Sequence, residues 1–277
     1  MNAIIISDLH IGSQYLQSRI LEDFLETFPE DHDFILNGDI IDQPYSKMKK
    51  SDQRIVDRIE QISLDQKVVW IRGNHDNGYT PTGLGKVKMT RSYSIGNRLL
   101  ITHGDDFDEI MPRSRAFMKA FKMMHNLRVK LGAKPVHVAE YAKKWKSFYR
   151  VLRKNVALNA VSCAGENGFE AVVCGHTHYP EDRVVNGIRY VNTGAWTELP
   201  AHYLHITADD IVLNRVDTSG SMHRPESPLS NQAPTTLPLN PVPCGSGETR
   251  QSTSEIAPYP VEAGMVLLEL SIPAHQH

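Results

Sequence analysis

The chain has 277 residues, of which 40% are hydrophobic and 22% charged, with 30 basic and 32 acidic side chains. The near balance of charge excludes a uniformly basic nucleic-acid binder, and three cysteines exclude a disulfide scaffold and a cysteine-ligated zinc site. No apolar run approaches the ~18 residues that cross a bilayer, and the first residues lack the basic region of a secretory signal, so a cytoplasmic location is expected.

Strands and helices are predicted to alternate over residues 1–216. Short apolar runs rich in β-branched residues predict strands at 3–7, 34–36, 68–71, 98–102, 171–174 and 188–192, and a closing hairpin at 202–207 and 211–216. Apolar residues three and four positions apart predict helices over 18–28 and 53–62. This alternation predicts an α/β fold in which helices cover the sheet, with functional side chains just beyond the carboxyl ends of the strands.

Basic residues are concentrated in one segment. Residues 112–155 contain 13 basic residues and one acidic residue, whereas residues 1–111 and 156–277 have net charges of −6 and −8. Apolar residues at helical spacing predict two amphipathic helices over 115–131 and 138–158. Three interpretations are open: ordinary surface helices, a slot for acyl chains beneath a basic surface, or a groove for single-stranded nucleic acid, which the acidic remainder of the chain disfavours.

The composition changes again after residue 217. Eight of the 16 prolines lie between residues 218 and 264, among many small polar residues. Such a segment buries too little apolar surface to offset the entropy that is lost on ordering. We therefore predict a folded domain over residues 1–217, with residues 112–158 inserted as a basic helical cap, and a disordered tail over residues 218–277.

A polar cluster follows each of the first five predicted strands. In chain order the clusters contain Asp8 and His10; Asp39 and Asp42; Asn74, His75 and Asp76; His103 and Asp105; and His176 and His178. Carboxylates, imidazoles and an amide oxygen suit Mn²⁺, Fe or Zn²⁺. Residues two apart in an extended segment point to the same side, so Asp8 is expected beside His10, and His176 beside His178. One such cluster is commonly a turn, but five in this order predict a metal site.

These motifs resemble the signature of the calcineurin-like metallophosphoesterases over residues 1–216. The resemblance implies a four-layer α/β/β/α sandwich with a helical cap insert and two divalent metal ions, Mn²⁺ first, with Fe, Zn²⁺ or Mg²⁺ as alternatives. It implies one ion held by Asp8, His10 and His178, a second held by Asn74, His103 and His176, and Asp39 as the bridge between them. His75 would be the catalytic imidazole that faces the phosphate, with Asp76 as its orienting partner.

A finer resemblance concerns the substrate. The second cluster lacks the Arg-Gly that follows it in Ser/Thr protein phosphatases, and residues 190–196 are similar to the closing segment of the UDP-2,3-diacylglucosamine diphosphatases of lipid A biosynthesis. That group also has a helical cap in this position, although its better-known members have Arg where this chain has His75. The implied reaction releases UMP and a lipid monophosphate.

The same resemblance implies contacts to substrate and membrane. Substrate would contact five residues, namely Asn74, His75, Arg113, Arg115 and Lys154. The basic cap would lie on the inner face of the cell membrane as a peripheral contact. A soluble phosphodiesterase or phosphatase that acts on nucleotides or other small phosphoesters is the alternative, and a non-catalytic binding module is a weaker one. Nucleic acid is disfavoured as a partner, and the oligomeric state is open.

Other polar residues receive ordinary roles. The acidic residues between 105 and 109 are expected to cap a helix that begins near Met111, where negative charge favours a helix N-terminus. One of these carboxylates could also contact substrate. His125, His137, His202 and His205 are expected to be ordinary surface or sheet histidines.

Overall fold

A computed structural model describes residues 2–43, 48–76, 79, 83–96, 98–113, 115–208 and 210–217, without the side chains of residues 112–120 and 122. The chain divides into units of residues 1–244 and 245–277, and every described residue belongs to the first unit. The predicted tail over residues 218–277 lies outside the described residues and stays a prediction.

The described elements follow one another as the sequence predicts, with three additional strands. In chain order they are β1 (Ala3–Ile6), α1 (Ser18–Glu26), β2 (Asp33–Asn37), α2 (Lys50–Asp65), β3 (Val68–Ile71), β4 (Lys88–Thr90), β5 (Ser92–Ile95), β6 (Leu99–Thr102), a 3₁₀ turn (Asp105–Phe107), α3 (Ile110–Arg113), α4 (Arg115–Lys130), α5 (Val138–Ala142), α6 (Lys146–Glu166), β7 (Ala171–Cys174), β8 (Glu181–Val185), β9 (Ile188–Asn192), β10 (His202–Ile206) and β11 (Ile211–Arg215). Every predicted strand is confirmed to within one residue at each end.

The strands form two sheets. The first has the order β11-β10-β1-β2-β3-β4, and the second has the order β5-β6-β7-β9-β8. Strands β1 to β4 are parallel, as are β6, β7 and β9, whereas β10, β5 and β8 pair antiparallel with their neighbours. The carboxyl ends of β1, β2 and β3 therefore lie at one edge of the first sheet.

Alternate side chains of the central strands enter different hydrophobic clusters. In β1, Ile4 and Ile6 pack with α1 and α2, whereas Ala3 and Ile5 face the second sheet. In β7, Val172 faces away from the first sheet and packs with α6. Because successive side chains of a strand point to opposite faces, each sheet buries both of its faces. The predicted four-layer α/β/β/α sandwich is confirmed.

The three strands that the sequence analysis missed, β4, β5 and β8, lie at sheet edges. Their residues are half-buried or exposed, with none of the fully buried runs that mark the central strands. An edge strand that is partly solvated has no continuous apolar run, and hydrophobic pattern alone does not reveal it.

The cap differs from its prediction in its second helix. One helix was expected over residues 138–158, but α5 ends at Ala142, and α6 begins at Lys146 after a turn. Helix α6 then continues out of the cap into the domain, where Val156 and Ala160 pack against the second sheet. Both helices have apolar residues every three or four positions, and this spacing continues across the turn. The sequence pattern therefore predicts one continuous helix. Among the described residues, no helix is both long and apolar enough to span a membrane.

Candidate metal centre

The backbone turns sharply where β1, β2 and β7 end. Asp8, His10, Asp39, His176 and His178 all have φ between 51° and 62°. Residues other than glycine adopt this left-handed conformation at a cost of about 1–3 kcal/mol each, and such residues cluster at functional sites. The extended geometry expected for residues 8–10 and 176–178 is therefore wrong. The left-handed turns nevertheless direct these side chains towards a common region.

The first group of candidate metal ligands brings together Asp8, His10 and His178, whose donor atoms lie within 4.8 Å of one another. The Nε2 atom of His178 lies 3.2 Å from Nε2 of His10 and 3.3 Å from Oδ1 of Asp8. All three side chains are buried. His10 Nδ1 donates to Asp42 Oδ1 at 3.2 Å, which leaves Nε2 of His10 free to bind a metal ion.

Asp39 lies between this group and His103. Its Oδ2 atom is 3.3 Å from His103 Nε2 and 3.9 Å from His10 Nε2, as a bridging carboxylate requires. His103 Nδ1 donates to the carbonyl oxygen of Asn37 at 2.9 Å, so Nε2 is the ring nitrogen that a metal ion would meet. That nitrogen is buried and has no hydrogen-bond partner. An unpaired buried nitrogen beside a carboxylate fits a metal ligand, because polar groups are otherwise paired in protein interiors.

His176 and Asn74 form the remaining part of the site. His176 Nε2 donates to Asp108 Oδ2 at 2.8 Å, and its Nδ1 lies 3.2 Å from Asn74 Oδ1. The His176 ring is 5.5 Å from the ring of His103. With the ring proton directed to Asp108, Nδ1 and the amide oxygen are two acceptors that face each other. A cation between them would satisfy both, so this pair also fits a metal ion.

The electrostatic environment of the site favours positive charge. Burial opposes the charge of His103, but the carboxylates of Asp39 and Asp8 outweigh it and hold the pKa of the imidazole well above its ordinary value. Burial likewise opposes ionisation of Asp39, yet His103 and His10 hold its pKa well below the ordinary range. The seven predicted ligands therefore combine buried carboxylate oxygens, an amide oxygen and imidazole nitrogens, a set that suits divalent ions.

His75 lies at the mouth of the site. Its Nδ1 donates to the carbonyl oxygen of Asp42 at 3.0 Å, and its backbone N–H donates to Asp39 Oδ1 at 2.8 Å. The ring meets the ring of His10 edge-on at 4.8 Å. The side chain is 37% exposed, so solvent and a substrate can both reach the His75 ring.

Asp76 does not contact His75, and the interpretation of Asp76 as its orienting partner is wrong. The carboxylate of Asp76 is buried and accepts hydrogen bonds from four N–H groups, those of Ile40, Ile41, Gly73 and the Trp70 indole. Burial raises the pKa of Asp76. Asp76 therefore ties together the loops after β2 and β3 and acts on the site only by holding those loops in place.

The predicted basic contacts to substrate stay predictions. Lys154 is exposed on α6, between Arg153, which pairs with Glu181, and Asn155. The side chains of Arg113 and Arg115 lie outside the described residues.

Three residues at the site were not assigned to it from sequence. Asp42 accepts from His10 and supplies the carbonyl that holds His75. Asp108 caps α3 through Oδ1, as expected for the acidic residues before Met111, and uses Oδ2 to hold His176. The ring of His137 stacks on the ring of His178 at 5.2 Å and 14°.

The sequence contained a signal for Asp42 and Asp108 but none for His137. Asp42 stands within a recognised motif, and Asp108 within an acidic run after β6. His137 has no local signal, and its expected role as an ordinary surface or sheet histidine is wrong. The same expectation is wrong for His125, which is buried in the cap. Burial and the neighbouring His178 and His10 lower the pKa of His137 to about 3.

Replacing Gly38 by Ala is expected to disrupt the site. A Cβ at Gly38 would lie 2.3 Å from Nδ1 of His103, and Gly38 has φ +82°. Gly187 has the same φ but open space around it, so Gly187→Ala is a matched control for backbone strain alone. We expect Gly38→Ala to lower the melting temperature and the bound metal more than Gly187→Ala does. Equal effects of the two substitutions would contradict the steric argument.

Asp108→Asn is expected to weaken metal binding without unfolding the protein. The amide oxygen still caps α3, but the amide N–H₂ then faces the N–H of His176 and no longer holds that ring. Loss of such an outer contact typically costs about 10–100-fold in metal affinity. Calorimetric titration with Mn²⁺ measures the change, with the exposed Asp106→Asn as control. An unchanged affinity would show that His176 does not need Asp108.

Both the fold and the site define a class. A sandwich of two sheets that collects aspartates and histidines at its strand ends is the arrangement of a metal-dependent hydrolase. Residues 1–210 match the calcineurin-like phosphoesterase superfamily domain, and the chain belongs to this family. It is a metal-dependent phosphoesterase, whose family implies divalent metal ions.

Several solved structures are similar to this chain at low sequence identity. Vacuolar protein sorting 29 from Cryptosporidium parvum is 16% identical, with 78% of this chain and 90% of that chain covered and a TM-score of 0.39. The phosphoesterase YfcE from E. coli is 17% identical, with coverage of 76% and 91% and a TM-score of 0.39. An archaeal phosphodiesterase is 15% identical, with coverage of 78% and 99% and a TM-score of 0.42. No curated protein matches the chain in sequence.

Proposed function

We propose that this phosphoesterase hydrolyses the pyrophosphate bond of a lipid-linked nucleotide, UDP-2,3-diacylglucosamine, and releases UMP and a lipid monophosphate. One observation carries the proposal, the exposed apolar side chains at the end of α4 and directly after it in the cap. Met123, Leu127 and Leu131 are 70%, 56% and 79% exposed, and Met124 beside them is 38% exposed. Contiguous exposed apolar side chains among basic ones are typical of a surface that meets lipid.

A basic cavity of about 270 Å³ lies between residues of the cap and Tyr179, which directly follows His178. Its lining consists of four cationic and two aromatic residues, Lys143, Lys146, Tyr149, Arg150, Arg153 and Tyr179. Lys143 Nζ donates to the carbonyl oxygen of His178 at 2.6 Å, which connects the cavity to the first group of metal ligands. Lys146 and Arg150 are exposed. Cations beside tyrosine rings suit a phosphate that carries a nucleoside.

Each residue of the candidate metal centre has its own proposed role in hydrolysis. Divalent ions held by the seven predicted ligands would supply positive charge for the phosphoryl oxygens and would lower the pKa of water. We propose Mn²⁺, with Fe, Zn²⁺ or Mg²⁺ as alternatives. Asp42 holds Nδ1–H of His75, so Nε2 is the atom that donates a proton to the departing oxygen when His75 is protonated. Asp42 also orients His10, and Asp108 orients His176.

A soluble phosphodiester or phosphomonoester is the second candidate substrate. Its support is the packing of the cap aromatics on one another: Phe121 is buried between Tyr141 and Trp145, at ring distances of 5.2 and 5.4 Å. His125 also packs on Tyr141, at 4.8 Å. These side chains fill the inside of the cap, where an acyl slot lined by aromatics would have to lie.

The double variant Leu127→Ser/Leu131→Ser distinguishes the lipid-linked substrate from the soluble one. If α4 meets the lipid, we expect kcat/KM for UDP-2,3-diacylglucosamine to fall about 10-fold, because two apolar contacts are lost. Hydrolysis of bis(p-nitrophenyl) phosphate should not change. The control is Leu64→Ser, which removes a leucine that is 50% exposed on α2.

Wild-type protein loaded with Mn²⁺ gives the remaining outcomes. Cleavage of the small diester without cleavage of the lipid substrate would favour the soluble phosphodiesterase. Metal binding below one ion per chain, with no cleavage of either substrate, would favour the non-catalytic binding module. Co-sedimentation of the wild type, but not of the double variant, with anionic lipid vesicles would support the proposed peripheral contact with the inner membrane face.

A further inference from the structure

We propose that His137, a residue of the cap, contacts the phosphoryl group of the substrate as a hydrogen-bond donor. The proposal rests on the phosphoesterase activity of the site and is independent of whether the substrate contains lipid. It would make the cap a part of the reaction centre as well as a cover for it.

The position of His137 supports this role. Its ring lies parallel to the ring of His178 at 5.2 Å and 5.1 Å from the ring of His10. One nitrogen of His137 lies within 4.8 Å of donor atoms of His10 and Asp42. The ring therefore lies against the first group of metal ligands, on the side that the cap occupies.

The hydrogen bonding of His137 indicates which of its nitrogen atoms is available. The backbone N–H of Ala139 donates to Nδ1 of His137 at 3.3 Å, because His137 is the N-cap residue of α5. An Nδ1 that accepts leaves the ring proton on Nε2 in the neutral imidazole. His137 therefore has an N–H donor on Nε2, the nitrogen that α5 does not use. A negatively charged phosphoryl oxygen is an acceptor, whereas a metal ion would require a lone pair.

The cap holds His137 firmly on both sides. Before it, the carbonyl oxygen of the buried Val136 accepts from His125 Nε2 at 3.0 Å. After α5, Lys143 Nζ donates to the carbonyl oxygen of His178 and to Glu198 Oε1, at 2.6 and 2.7 Å. A donor that is already held in position loses little entropy when substrate binds.

Two other roles are possible for this ring, and variants separate them. His137→Asn keeps a side-chain acceptor for the N–H of Ala139, because Asn is a favoured N-cap residue, but it removes the ring N–H. His137→Ala removes both. His32→Asn is the control, since His32 contacts Asp31 and His205, away from the metal centre.

The experiment measures binding of inorganic phosphate to the Mn²⁺-loaded protein by calorimetry, together with kcat and KM for bis(p-nitrophenyl) phosphate. We expect His137→Asn to weaken phosphate binding and lower kcat/KM by about 10–100-fold, the range for one charged hydrogen bond. Metal content and melting temperature should equal those of the wild type and of His32→Asn.

Three results would overturn the proposal. A loss of bound metal in His137→Asn would make His137 a ligand. Phosphate affinity and kcat/KM within twofold of the wild type would leave His137 only as the cap of α5, especially if His137→Ala lowers the melting temperature. The contact between His137 and the phosphoryl group would also be excluded if the wild type cleaves the diester but binds phosphate no better than His137→Ala does. Failure with UDP-2,3-diacylglucosamine alone would affect only the proposed substrate.

Discussion

Replacing Asp39 by Asn is expected to abolish phosphoesterase activity, with a loss of about 10³-fold or more in kcat. Asp39 is 2% exposed and lies 3.3 Å from His103 and 3.9 Å from His10, between the two groups of metal ligands. Charge stabilisation by bound ions is worth several kcal/mol in hydrolysis, and each 1.36 kcal/mol is a tenfold change in rate. An amide of the same size keeps the packing but loses the negative charge.

Metal analysis makes this prediction specific. The introduced amide would leave His103 Nε2 beside a neutral group, so we expect Asp39→Asn to bind fewer Mn²⁺ ions than the wild type. The control is Asp57→Asn, which changes an exposed carboxylate on α2. Full metal content together with full activity in Asp39→Asn would contradict the bridging role.

The substitution His75→Ala is expected to lower kcat by about 10²–10⁴-fold while bound metal is retained, since this is the range for a positioned acid or base. The imidazole is fixed by Asp42 through Nδ1 and is 37% exposed at the mouth of the centre. Removing it deprives the leaving oxygen of its proton donor and leaves the two groups of metal ligands in place.

A competing role for His75 gives a different result. Donor atoms of His75, His10 and Asp39 also lie within 4.8 Å of one another, so His75 could itself bind an ion. In that case metal content would fall together with activity in His75→Ala. Measuring kcat against pH provides a second test, because an acid catalyst contributes one limb of the pH profile, and that limb should disappear in the variant.

In the folded protein, His75 and His103 have hydrogen-bond partners that their neighbours in the sequence do not predict. Asp76 is adjacent to His75 in the chain, but it is directed to the backbone of the loops after β2 and β3, and Asp42 holds His75 instead. Neighbouring residues in a turn can point in opposite directions, so adjacency predicts a contact poorly. The carbonyl that fixes His103 likewise belongs to a residue of another strand, Asn37.

The sequence by itself determined the central strands and the first two helices, and the resemblance of its motifs to a known family implied the four-layer sandwich and the candidate metal ligands. The strands and helices are encoded in adjacent residues, by a buried apolar run or by apolar residues at helical spacing, and each family motif directly follows a strand. Three features are visible only in the tertiary structure: the edge strands β4, β5 and β8, the turn between α5 and α6, and the position of His137 beside His178. These features depend on which distant segments pack together, and local periodicity carries no record of that packing.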